Sequence, residues 1–148
     1  MSESATSQSS TAAAARALTS KKIISSDSHV CEPEGCYDDI DPKYYDMRPT
    51  YKVHEGLGPC YIIPDLQMPV PMSMINAAGR KPEEIQNFKL QWEDLEPGGW
   101  DPKERLVAQD KDGIYAEVIY PSVGMVLCLH DNIDYKKACF DAYNRWLA

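Results

Sequence analysis

Apolar positions along the chain repeat in two ways. Ile23-Ile24 lead into alternating small and polar residues, Ser25 to His29, and then Val30, which predicts a strand over 23–30. Ala116-Glu117-Val118-Ile119-Tyr120 is short, mostly apolar and closed by Pro121, the pattern of a second, buried strand. Tyr135, Ala138, Cys139, Ala142, Tyr143 and Trp146 instead recur at three- and four-residue steps. They form one apolar face of a helix starting near residues 131–134.

Punctuation between these segments predicts further elements. Ten of the eleven prolines fall between Pro33 and Pro102, and Pro59, Pro64, Pro69 and Pro71 preclude regular elements of more than a few residues. A short helix is expected over 82–88, with Pro82 in its first turn and Glu83 and Glu84 at the positive end of its dipole. Asp101-Pro102-Lys103-Glu104 has the form of an N-cap, a proline at the first helical position and a capping-box glutamate. That helix runs to Asp112, and Gly113 supplies its stop.

Strand, long excursion (33–100), helix, strand, helix is an α/β order that implies parallel pairing. A parallel pair needs covered faces and edge neighbours, which two strands cannot supply. The chain also stops within a helical pattern at Trp146-Leu147-Ala148. The expectation is therefore the N-terminal portion of a (β/α)8 barrel, incomplete in this chain; such a barrel takes roughly 250 residues.

Composition narrows the functional classes. With 15 basic and 23 acidic residues the net charge is −8, which repels phosphate and disfavours nucleic acid. No run reaches the roughly 18 apolar residues of a membrane span. Cys31, Cys36, Cys60, Cys128 and Cys139 are odd in number and irregularly spaced, which points to free thiols in a reducing cytoplasm. Residues 1–22 hold six Ser, three Thr and six Ala and no aromatic, so a disordered leader is expected. It lacks the apolar core of a signal peptide, and its single Arg16 beside Glu3 is a poor match to a transit peptide.

Candidate chemistry lies in Asp27-Ser28-His29. Residues two apart on a strand share a face, so a carboxylate and an imidazole there can converge on one metal ion. Glu32, just before Pro33, is a second carboxylate placed to meet a substrate or orient a ligand. A hydrogen-bonded turn, favoured by Ser25, Ser26 and Ser28, is the competing assignment for the triplet, and a strand-exit cap is that for Glu32. His29, Cys31 and Cys36 lack the Cys-x-x-Cys knuckle of structural zinc sites. His54 and His130 have no local partner, although His130 follows the second strand closely enough to approach a barrel mouth. Arg48 is a further candidate for binding a carboxylate, with a solvated loop role as the alternative. No glycine-rich turn follows the first strand, which excludes a dinucleotide-binding sheet.

The stretch from Ile23 through Asp27-Ser28-His29-Val30-Cys31-Glu32-Pro33 resembles the opening of the amidohydrolase-related family. This is the branch of aminocarboxymuconate semialdehyde decarboxylase and the hydroxybenzoate decarboxylases. Gly99-Trp100-Asp101-Pro102, Arg105-Leu106, Asp110-Lys111-Asp112-Gly113 and Ala116 to Ser122 are similar to its first helix and second strand. Tyr143-Asn144-Arg145-Trp146-Leu147-Ala148 is similar to part of its second helix.

The resemblance implies a distorted (β/α)8 barrel with a divalent metal, zinc or manganese, at its C-terminal mouth. It implies non-oxidative decarboxylation or hydrolysis of a carboxylated or aromatic small molecule, and it allows a homo-oligomeric parent. Family members open with His-x-His or an acidic residue-x-His, which maps onto Asp27 and His29; the remaining histidine and aspartate ligands would lie past Ala148. An anionic first ligand lowers the site's charge by one, so Mn²⁺ or Mg²⁺ should serve beside Zn²⁺. The 148-residue chain alone is then expected to be inert and poorly folded. The alternative is a non-catalytic truncated paralogue or interaction fragment.

Overall fold

β1 (Ile23–Val30) and β5 (Ile114–Pro121) pair in parallel, from Ile23 beside Ile114 to Val30 beside Pro121. The computed structural model describes residues 22–75, 77, 80–85 and 91–148. The expected leader, apart from Lys22, and the end of the expected 82–88 helix lie outside them. The remainder of that helix is α2 (Pro82–Ile85).

A helix links the two parallel strands. α3 (Pro102–Asp112) begins at Asp101, whose carboxylate accepts the Lys103 and Glu104 backbone N–H groups, and ends at Gly113, left-handed at φ +70°. Only half of the expected capping box forms, because Asp101's own N–H donates to the Pro97 carbonyl at 2.8 Å. A tight turn at Pro97–Gly99 has taken the donor that Glu104 was to satisfy.

The proline-rich excursion is more ordered than its composition implies. β2 (Thr50–His54), β3 (Gly58–Ile62) and β4 (Val70–Pro71) form an antiparallel sheet with β3 in the middle. Pro59 is tolerated in this central strand because β4 faces only Cys60 and Tyr61, so no ladder bond is asked of its missing N–H on that side. A single turn of helix, α1 (Met72–Ile75), follows.

After β5 come α4 (Ser122–Leu127), which the sequence pattern did not predict, and α5 (Ile133–Leu147). Asn132 caps α5 by accepting the Tyr135 N–H. Of the six positions on its expected apolar face, all but Trp146 are buried.

The core lies between α4, α5 and the excursion, and the parallel sheet adds to it only Val30, with Ile119 packed against it. Tyr37, Tyr61, Val123, Leu127, Tyr135 and Cys139 are fully enclosed there. Each large side chain so enclosed contributes about 1.5–3 kcal/mol relative to exposure. Tyr135 fixes the two halves together, its ring edge-on to Tyr44 at 5.6 Å and its hydroxyl donating to the Met47 carbonyl at 2.8 Å.

β5, by contrast, is not the buried strand that its apolar run predicts: Val118 and Tyr120 remain 45% and 46% exposed. A sheet of two parallel strands leaves faces and edges uncovered. The described residues thus form a mixed α/β structure with one small parallel and one antiparallel sheet, and among them no barrel closes. No described helix is long and apolar enough to cross a membrane. All five cysteines are free, and only Cys128 is exposed.

Candidate functional site

The ladder between β1 and β5 is interrupted where the candidate donors lie. Ser25 stands beside Glu117 and Ser28 beside Ile119, so three steps on β1 match two on β5. This bulge shifts the side-chain alternation by one. Ser25 and Ser28 consequently meet, with their hydroxyl oxygens 2.8 Å apart.

Asp27 and His29 come together as the two-residue spacing predicts. His29 Nε2 is 3.3 Å from Asp27 Oδ1, with 35% and 80% of the side chains exposed. Both line an open cleft of about 620 Å³, with Tyr120, Pro121, Met125 and Phe140 among its other walls. The His29 ring lies 6.0 Å from that of Tyr120. Two donors bound at about 2.1 Å to one ion, at angles of roughly 90–110°, stand about 3.0–3.4 Å apart. The observed separation fits that edge of a coordination shell, and an oxygen–imidazole pair suits zinc or manganese. Among the described residues no group of three or more His, Cys, Asp or Glu forms a metal cluster.

Glu32 takes a different position from the substrate-facing one expected of it. It is fully buried. Its Oε2 accepts the Ser122 and Val123 N–H groups at 3.1 and 3.0 Å, and its Oε1 accepts the Gly124 N–H at 2.9 Å and the Tyr37 hydroxyl at 3.2 Å. Burial pushes its carboxyl above the usual range, and the Val123 and Gly124 amides and the Tyr37 hydroxyl draw it partly back. Glu32 is therefore held inside the chain, behind the cleft wall that Gly124 forms.

The remaining candidates separate from this cleft. His130 is buried beneath α5, its Nδ1 accepting the Asn132 N–H at 3.1 Å and its ring 4.4 Å from that of Tyr135. Its Nε2 stands 3.7 Å from Asp65 Oδ2, so its surroundings are those of a packed loop. His54 ends β2 and is exposed. Arg48 already has a carboxylate within the chain, its Nε donating to Asp38 at 2.9 Å and its Nη1 to the Tyr45 carbonyl. Cys31 and Cys36 are buried, and burial pushes the Cys36 thiol well up, away from the thiolate a metal needs.

Sequence reasoning passed over Arg105. From α3 it donates to Glu117 on β5 at 2.7 Å and to the carbonyl of His29 on β1. It thereby fixes the backbone that carries the imidazole. The local signal was only a basic residue in the first turns of a helix, which does not show that it turns toward the sheet.

The chain matches no protein-family model and no curated protein.

Proposed function

We propose that Asp27 and His29 are the first two ligands of a divalent metal in an enzyme of the amidohydrolase-related type, a (β/α)8 metal-dependent hydrolase or carboxy-lyase. One observation carries the reading: a carboxylate and an imidazole from one strand end meet at 3.3 Å over an open cleft. The parallel β1–α3–β5 unit supports it, being the repeat from which such barrels are built. The donors stand near the C-terminal end of β1, where barrel sites lie. Further donors have to come from outside the described residues, so this chain alone is not expected to turn over substrate.

When bound, the ion supplies a Lewis acid able to hold a carboxylate or phenolate, or to acidify a water. The chain's own residues orient it. Arg105 anchors the His29 backbone, and Asp27 contributes the anionic oxygen that favours Mn²⁺ beside Zn²⁺. Tyr120, Met125 and Phe140 give the cleft apolar walls against which a small aromatic or carboxylated molecule can lie. The same pair serves decarboxylation and hydrolysis equally.

A second reading, an interaction fragment, is favoured by the apolar side chains left open on α3 and β5, Leu106, Val107, Tyr115 and Val118. Calorimetric titration with Mn²⁺ and Zn²⁺ separates the two. The metal reading predicts weak one-site binding that Asp27→Asn and His29→Gln each abolish. Binding that both variants retain overturns it.

A further inference from the structure

The proposal here rests on the metal-donor reading of Asp27 and His29. β1 ends at Val30, and the next backbone donor turns away, the Cys31 N–H reaching the Gly99 carbonyl at 2.7 Å. Past that point a side chain takes over the link between the two parallel strands. Glu32 binds the first three amides of α4, at Ser122, Val123 and Gly124, which directly follow the cleft residues Tyr120 and Pro121.

We propose that Glu32 is a positioning residue for the metal donors. It fixes the donor-bearing end of β1 against the β5–α4 turn, and with it the presentation of Asp27 and His29 to a cation. The carboxylate suits this task because its two oxygens serve four donors. It cannot rotate or withdraw without leaving a buried N–H unpaired. An amide of the same shape does not substitute, since its NH₂ would face at least one backbone N–H. The turn has no slack on its other side. A Cβ on Gly124 would lie 2.6 Å from Pro121 Cγ, so the backbone there is already at closest approach.

The test is Mn²⁺ affinity of the full chain, read from the paramagnetic resonance of the free ion. Each protein is measured well below its own unfolding midpoint, so that a purely structural role lowers the midpoint but not the affinity. Glu32→Gln is expected to weaken binding about tenfold, and Tyr37→Phe, which leaves the three amides bound, about threefold. A folded Glu32→Gln protein with unchanged affinity overturns the proposal. Should Glu32→Gln not fold, Tyr37→Phe decides: a drop supports the proposal and unchanged affinity overturns it. Asp27→Asn run in parallel keeps the two ideas apart. If it abolishes binding while the Glu32 and Tyr37 variants leave the affinity unchanged, only the positioning role fails; if it changes nothing, the metal reading itself fails.

Discussion

The guanidinium of Arg105 stands 2.7 Å from the carboxylate of Glu117, with only 14% and 13% of the two side chains exposed. Because Arg105 also reaches the His29 carbonyl, this one pair joins α3, β5 and β1. It replaces with charge the apolar helix–sheet packing expected of such a unit, since α3 has no buried residues.

Acid should loosen that junction. Burial raises the Glu117 carboxyl, but hydrogen bonds from Gln109 and Arg105, the charge of Arg105, and Ser28 outweigh it and leave the pKa below the ordinary value. A carboxylate depressed in the folded state contributes stability above its unfolded pKa, about 4.3, and loses it as pH falls through the folded value. Glu117→Gln should cost about 1–2 kcal/mol at neutral pH. In urea unfolding at a series of pH values, the gap between wild type and variant should close below about pH 4. A gap independent of pH would contradict the assignment.

The two halves of the α3 cap should be separable. Asp101→Ala removes the acceptor of two amides and should cost about 1 kcal/mol. Glu104→Ala should change stability by less than about 0.5 kcal/mol, because Pro97 already accepts the Asp101 N–H. Equal losses in thermal melts would show that the capping box forms after all.

Alanine normally stabilises a helix relative to glycine by about 1 kcal/mol. At Gly124 the sign should reverse, because the new methyl would stand 2.6 and 2.7 Å from Pro121 Cγ and Cβ. Overpacking of this kind costs about 1–3 kcal/mol, so Gly124→Ala should lower the midpoint of thermal unfolding. A raised midpoint would show that the β5–α4 turn has room to spare.

What could be read beforehand was local. Asp101, Gly113 and the spacing of Tyr135, Ala138, Cys139, Ala142 and Tyr143 each act within a turn or two of helix, and each lies where its pattern placed it. The pairing of Asp27 with His29 is local too, set by two steps along a strand. The backbone partners of Glu32 were not legible because they stand 90 to 92 residues away, on a helix with no cap signal of its own. Arg105 reaches 76 residues back to His29, and the bulge shows only as a mismatch between two distant strands. β5 looked buried because its composition describes a strand with neighbours, and among the described residues it has one.

The central claim is that a cation is held between Asp27 and His29, and site-resolved Mn²⁺ broadening of the amide resonances tests it most directly. At substoichiometric Mn²⁺ the signals of residues 27–29, and of Tyr120 beside the His29 ring, should vanish first, and Asp27→Asn should restore them. Broadening centred on another acidic segment, such as Asp38–Asp39–Asp41, or spread evenly over the chain, would contradict it.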